Sequence, residues 1–337
     1  MKQSAIILSA SHYLPGDSIT SQSVEDRVNM ASIGFKLPRG LIKRLSGVEF
    51  RHFVSHELSS DLAAQAGRSA ISKGNLHPGD IDMLIYASAS ADVGEPATAN
   101  IVQSKIGCEK AHVFDIKNAC NSFINALDIA QAYISTNRAK NVLVTSGELP
   151  SQFINWNIKN RKELEVKFAA LTLGDGGAAC LIQGQDESAR GLLPGKFFSD
   201  GSKWDLSTVL WGGTLTKGDS SSMFFESKSR QLMSLVVKTL PGLILKLADE
   251  IGWERDDIKL VIPHQVTLDI IKQLCHKLGF PLDRVMITLD RVGNTVAASI
   301  PMALSLAIEE GRIDRGDKIL LIGGAAGFSA AALPIIY

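Results

Sequence analysis

The sequence predicts a layered α/β fold made of two similar halves. Three observations carry this. Short apolar strand patterns recur at an offset of 177 residues, helical patterns recur at the same offset, and the composition is that of a folded chain. Of 337 residues, 45% are apolar and 21% charged, and 35 basic side chains balance 35 acidic ones. That balance argues against disorder. A neutral chain without a basic block also argues against a nucleic-acid partner. No run reaches about 18 apolar residues, so no membrane span is expected. The stretch after Met1-Lys2-Gln3-Ser4 reads as a first strand rather than a signal peptide, and a cytoplasmic protein is expected.

In chain order, Asp61 to Ser72 has a helical pattern. An acidic turn at His77–Asp82 leads into the strand Met83-Leu84-Ile85-Tyr86. Phe123 to Ile134 carries apolar residues at helical spacing, and Asn141 to Gly147 is the next strand. Shifted by 177, the turn and strand land on Glu254 to Pro263, the helix on Ile300 to Ile313, and the second strand on Lys318 to Gly324. Met233 to Ile251 takes the part of the first helix, with a kink expected at Pro241. Two such coincidences at one offset indicate an internal duplication, and strands alternating with helices favour α/β layers. Between the halves lie a polar stretch from Gln152 to Phe168, with a charged helical piece at Lys159–Lys167, and a Gly/Ser/Thr-rich stretch near 195–225. The latter holds Trp204 and Trp211, which are costly to leave disordered, so it reads as a lid.

The four cysteines, Cys108, Cys120, Cys180 and Cys275, form no CxxC pair, so no structural metal is expected. Taken singly, each reads first as a small buried hydrophobe. Cys120 lies between a strand ending near Asp115 and a helix that begins just after it. A thiol there faces the positive end of the helix dipole, which predicts a lowered pKa. His264 follows the strand Leu260–Pro263, at the end of the strand where α/β folds place ligands and catalysts. Asn294 lies in Gly293-Asn294-Thr295-Val296-Ala297-Ala298-Ser299, where a helix cap is the plain alternative. Gly323-Gly324-Ala325-Ala326-Gly327-Phe328 looks like a dinucleotide loop. Only ten residues follow Gly327, too few for the βαβ unit such a loop serves, so no cofactor is expected.

Cysteine, histidine and asparagine in this order, on a duplicated frame, resemble the β-ketoacyl-ACP synthase III branch of the thiolase superfamily. The matching segments are NACNSF around Cys120, VIPHQ around His264, GNTVAASIP around Asn294, LGDGGAA at Leu173–Ala179 and GGAAGF near the C-terminus. The resemblance covers essentially the whole chain. It implies a five-layered αβαβα fold, with an N-terminal half over 1–184 and a C-terminal half over 185–337, and a homodimer, a heterodimer with a related subunit being the alternative. It implies an interface strand at Ala111–Ile116. It implies that Cys120 is acylated by an acyl thioester, and that His264 and Asn294 stabilise the enolate of a second thioester during a Claisen condensation. The amides of Cys120 and Gly327 would form the oxyanion hole, and Thr295 and Phe328 would contact substrate. A thiolate is a good nucleophile, and fixed donors aimed at developing negative charge supply much of the rate.

Glu95 narrows the branch. It stands 25 residues before Cys120 in Gly94-Glu95-Pro96-Ala97, where housekeeping synthases are typically apolar. A glutamate there resembles the olefin-pathway and pyrone- or resorcinol-forming condensing enzymes, in which it reaches across the dimer as the base for an α-proton. A carboxylate at an apolar tunnel mouth is expected to have a raised pKa, which suits a base. A solvated loop acid is the alternative. Departures also count. Leu41 and Leu45 stand where the housekeeping enzymes grip the adenine end of CoA, with Lys43 and Arg44 nearby, and Asp269 replaces a carrier-docking arginine, near Lys272 and Lys277. The expectation is an acyltransferase that condenses two acyl thioesters, acyl-CoA or acyl-ACP, without obligatory decarboxylation. The alternatives are a decarboxylative synthase using malonyl-ACP, acyl transfer to a hydroxyl or amine, and a non-catalytic subunit.

Overall fold

The computed structural model describes residues 3–186, 189–217, 219 and 222–337. The first half holds β1 (Gln3–Tyr13), β2 (Ser18–Thr20), α1 (Ser21–Ala31), α2 (Leu41–Ser46), β3 (Phe50–His52), α3 (Ser59–Lys73) and β4 (Met83–Ala87). It continues with α4 (Thr98–Ile106), β5 (His112–Ile116), α5 (Ser122–Ser135), β6 (Asn141–Glu148), α6 (Arg161–Lys167) and β7 (Gly176–Asp186). The second half holds β8 (Gly191–Leu192), β9 (Lys196–Ser199), β10 (Ser207–Thr208), β11 (Glu226–Ser227), α7 (Ser229–Ile251), β12 (Ile258–Pro263) and α8 (Leu268–Leu278). It ends with α9 (Leu289–Val292), α10 (Ser299–Glu309), β13 (Lys318–Ala325) and β14 (Ser329–Ile336).

Two five-stranded sheets form the frame. The first runs β1-β7-β6-β4-β5, with β4 parallel to both β5 and β6. The second runs β12-β13-β14-β8, with β9 also on β14, and β12 parallel to β13. Strand alternation fixes the layers. On β6, Val142 and Val144 face one core and Leu143 faces another. The first core lies between the sheets, where Phe123, Ile124 and Leu127 of α5 and Ile300, Ala303 and Leu304 of α10 are buried. Ala63, Ala66 and Ala70 of α3 and Val102 of α4 cover the outer face of the first sheet. Leu232, Val236 and Leu240 of α7 and Ile271 and Leu274 of α8 cover the outer face of the second. The order is thus helix, sheet, helix, sheet, helix, as the resemblance implies.

The offset of 177 holds closely. Shifted β6 superimposes on β13 residue for residue, and the first residue of α5 on that of α10. Three expectations change. The Met233–Ile251 helix begins earlier, at Ser229, and runs through Pro241 to Ile251 as one element. The Ile300 helix ends at Glu309 rather than Ile313. Within 195–225, Lys196–Ser199 is not lid but sheet, because it completes the edge beside β14. Trp204 and Trp211 are exposed, and Phe225 N–H donates to Phe153 O across to the first half (2.9 Å). Gly218, Ser220 and Ser221 lie outside the described residues. Among those residues α7 is the one helix long and apolar enough to cross a membrane, but its buried stripe packs on the second sheet and Lys238 and Lys246 are exposed.

Candidate active site

β5 ends at Ile116, and the chain turns tightly before α5. Ser122, the first residue of α5, makes the turn: its Oγ accepts from Asn118 N–H (2.8 Å) and donates to Ala119 O (2.7 Å). Ala119 takes a left-handed φ of 46°, at a cost of about 1 kcal/mol for a residue with a Cβ. Asn121 Nδ2 donates to Ser329 Oγ of β14 (2.9 Å), which ties the turn to the second half. Cys120 is thereby held part-exposed, whereas Cys108, Cys180 and Cys275 are buried. The thiol is pushed up to about 12, first by enclosure and then by the charge of Glu148. This corrects the expectation of a lowered pKa: a dipole at a helix end is outweighed by desolvation and a nearby carboxylate.

His264 follows β12. Its N–H donates to Ile322 O of β13 (2.8 Å), and its ring Nδ1 lies 2.6 Å from Ser299 Oγ at the start of α10. Burial drops the imidazole to about 4, so it is neutral at neutral pH. Gln265 beside it is fully buried and uses its whole amide. Its Nε2 donates to Pro263 O (2.7 Å) and Met286 O (3.1 Å), and its Oε1 accepts from Thr288 N–H (3.0 Å) and Leu289 N–H (3.2 Å).

Asn294 sits on a loop locked against Leu173–Gly174. Its N–H donates to Thr172 O (2.9 Å) and its C=O accepts from Gly174 N–H (3.0 Å). Its Oδ1 accepts from Val296 N–H (3.0 Å), which leaves the side-chain NH2 to donate elsewhere. Asn294 therefore forms a turn rather than the helix cap of the plain alternative, and its NH2 is still an available donor. Gly293 has a φ of 69°, and a Cβ there would lie 2.8 Å from Thr172 O. Behind the loop Asp175 is buried, accepting from Ser151 and from Val54 N–H, with its carboxyl pushed up to about 6 by burial.

Three side chains tie the segments that carry Cys120, His264 and Asn294 into the frame. Ser299 joins the loop's end to His264, Asn121 joins Cys120's turn to β14, and Glu148 joins the loop to Cys120's surroundings. Glu148 Oε1 accepts from Ala297 N–H at 3.3 Å, and its charge is felt by the Cys120 thiol. Sequence reasoning missed Ser299 and Glu148. The one signal for Glu148 was an acidic residue directly after the strand pattern Asn141–Gly147. Gly327 occupies the open β13–β14 turn with φ 111° and nothing near a Cβ position. Phe328 is buried in the second sheet's core, edge-on to Phe198 at 6.0 Å. Thr295 is fully buried and its Oγ1 has no partner among the described residues. An apolar cleft opens beside His264 between α7 and α8, lined by Met233, Val236, Leu240, Ile270 and Leu274.

Glu95 lies apart from this cluster. It is exposed, and its carboxylate makes no hydrogen bond or ion pair among the described residues. Its loop is nevertheless pinned at both ends. Asp92 accepts from Ser59 Oγ (2.7 Å) and Ser60 N–H (3.1 Å), and Asp115 caps α4 by accepting from Thr98 N–H (2.8 Å) and Ala99 N–H (2.7 Å). Between those anchors Val93–Pro96 projects outward. In the region matching the CoA-gripping residues, Leu45 is exposed and Lys43 is committed to Glu49 (2.7 Å).

Residues 114–201 match the family described as 3-oxoacyl-[acyl-carrier-protein (ACP)] synthase III, and residues 248–336 match its C-terminal counterpart. A beta-ketoacyl-[acyl-carrier-protein] synthase III of Vesicomyosocius okutanii is 32% identical over 335 residues, covering 99% of each chain. The crystal structure of 3-oxoacyl-[acyl-carrier-protein] synthase III from Aquifex aeolicus is similar with a TM-score of 0.87 at 29% identity, covering 99% of this chain and 100% of that one. Cerulenin-bound OleA of Xanthomonas campestris is similar with a TM-score of 0.89 at 25% identity, covering 100% and 98%.

Proposed function

The chain belongs to the 3-oxoacyl-[acyl-carrier-protein] synthase III family of acyl-thioester condensing enzymes, and from that premise we propose that Cys120, His264, Asn294 and Glu95 carry a condensation that does not require decarboxylation. Cys120 Sγ attacks an acyl-CoA or acyl-ACP, the Sγ–acyl bond forms, and the departing thiol takes the cysteine's proton. Glu95 of a second copy of the chain then removes an α-proton from a second acyl thioester. The enolate oxygen accepts from Asn294 Nδ2–H and from His264 Nε2–H, with Ser299 donating to Nδ1. The enolate carbon attacks the Cys120-bound carbonyl, whose own oxygen faces the amides of Cys120 and Gly327. The C–Sγ bond breaks, the cysteine regains a proton from Glu95, and a β-keto thioester leaves.

The observation that carries this reading is the donor set. Asn294 spends its oxygen on Val296 and keeps its NH2, and His264 is neutral by burial with one nitrogen engaged, which suits donors to an enolate rather than a proton relay. Glu95 supports the base role by standing on an anchored loop without a partner among the described residues. A homodimer is proposed on similar grounds: β5 is the uncovered edge of the first sheet, and the chain from His112 to Cys120 is part-exposed beside it. The halves 1–184 and 185–337, a cytoplasmic location, and contacts of substrate with Thr295 and Phe328 belong to the same proposal. The relatives named as synthase III favour a second reading, decarboxylative condensation with malonyl-ACP.

The test incubates purified protein with mixed acyl-CoAs, with and without malonyl-ACP, and follows intact mass and products for the parent, Cys120→Ala and Glu95→Ala. Product from acyl-CoA alone, lost in both variants, supports the proposal. Product only with malonyl-ACP, indifferent to Glu95→Ala, overturns it in favour of the second reading. Cys120 alkylation by iodoacetamide is expected to climb with pH and reach no plateau below about pH 10, because enclosure and the charge of Glu148 keep the thiol protonated.

A further inference from the structure

We propose that Glu148 is a positioning residue for the condensation, a buried carboxylate that holds the loop bearing Asn294 against the loop leading to Glu95, behind the Cys120 thiol. The inference rests on the roles proposed above for those three residues. Glu148 is the last residue of β6 and has no exposed surface. Its oxygens accept four hydrogen bonds: from Ala89 N–H (2.8 Å), Ser90 N–H (3.2 Å), Ser90 Oγ (2.8 Å) and Ala297 N–H (3.3 Å). Ser90 Oγ already accepts from Leu149 N–H (3.0 Å), so its proton is directed at Glu148. Burial raises the pKa of this carboxyl, and all four partners are donors that oppose the rise by favouring the ionised form.

Three of the donors belong to the loop that begins after β4 and runs through Asp92 to Glu95. The fourth lies three residues beyond Asn294. One carboxylate thus spans two loops that come from different halves of the chain. Simple space filling does not account for it. Burying a carboxylate costs several kcal/mol before its partners repay it, and an apolar residue of similar size fills the same volume without that cost. The corresponding residue at the end of β13 is Ala325, so the end of such a strand needs no acid. Of the charged side chains among the described residues, Glu148 is the one that acts on the Cys120 thiol, and it opposes ionisation there. Enclosure first, and this charge second, keep the cysteine as a thiol in the resting site.

The test compares Glu148→Gln and Glu148→Asp with the parent. Alkylation of Cys120 by iodoacetamide, read on the Cys120 peptide by mass spectrometry, is followed against pH. Glu148→Gln removes the charge and is expected to lower the alkylation midpoint by about one unit or more, which is a tenfold gain in reactivity at neutral pH. Glu148→Asp keeps the charge but is shorter by one methylene. It is expected to leave the midpoint in place, to speed amide exchange at 89–90 and 297, and to cut condensation tenfold while Cys120 still acylates. An unchanged midpoint in Glu148→Gln, full turnover in Glu148→Asp, or failure of both variants to fold overturns the proposal. If the parent condenses no thioester pair, the functional reading fails, and the alkylation and exchange data still decide the role of Glu148.

Discussion

Ala119 in the first half and Val296 in the second stand 177 residues apart, and both take a left-handed φ, 46° and 49°. The serines that follow are mates as well. Ser122 ties its own turn, while Ser299 holds His264. Gly147 and Gly324 are another pair, each a glycine because a helix presses on it. A Cβ at Gly147 would meet Ser59 of α3, and one at Gly324 would meet Val236 of α7, and Ser59 and Val236 are themselves mates. The backbone was thus duplicated down to its strained turns. The chemistry was not. The mate of Cys120 is Ala297, that of His264 is Ala87, and that of Glu148 is Ala325. These three side chains each have an alanine as counterpart, so the scaffold tolerates either at those positions.

The largest test of this division is Cys120→Ala. It makes the first half's turn match Ala297, and turnover is expected to fall at least about 10³-fold, with no acyl adduct on the intact protein. Next comes Gln265→Ala. Four buried hydrogen bonds are lost, and the melting temperature is expected to report a loss of about 2–4 kcal/mol. Gly293→Ala sharpens the comparison, because its mate Ile116 carries a full side chain at the end of β5. The added Cβ meets Thr172 O, so a loss of about 1–3 kcal/mol is expected, with condensation falling more than Cys120 acylation in a single-turnover assay. The smallest effect is expected at Ser88, the mate of Gln265. Its hydroxyl donates to Gly147 O and accepts from Ser90 N–H, and Ser88→Ala is expected to cost about 1 kcal/mol in denaturant unfolding.

What could be read from the sequence follows from where the information lies. Strands such as Asn141–Gly147 and their mates announce themselves through short apolar runs, and two coincidences at one offset sufficed to predict the layered fold. The motifs around Cys120, His264 and Asn294 sit at the ends of those strands and were legible for the same reason. The departures are long-range. The mates of β5 fall on 289–293, of which Leu289–Val292 is helical, and the fully buried amide of Gln265 captures the N–H groups of Thr288 and Leu289 at its start. β7 and β14 break the offset because residues 149–175 connect β6 to β7 where 326–328 suffice between β13 and β14. The sequence shows the helix beside Cys120 but neither the enclosure that chiefly raises its pKa nor the charge of Glu148, which is close in space but not in sequence. Glu148 itself reads locally as a solvated strand end and is buried only because the loop after β4 folds over it.

The outward projection of Val93–Pro96 has one more consequence. On the proposed reading, the acid leaves its own chain to finish a neighbour's site, so a lone chain is half of two enzymes and the whole of none. Specific activity then becomes a matter of mass action, falling on dilution as pairs dissociate. Two dead variants, Cys120→Ala and Glu95→Ala, mixed and allowed to exchange partners, regain turnover that neither has alone.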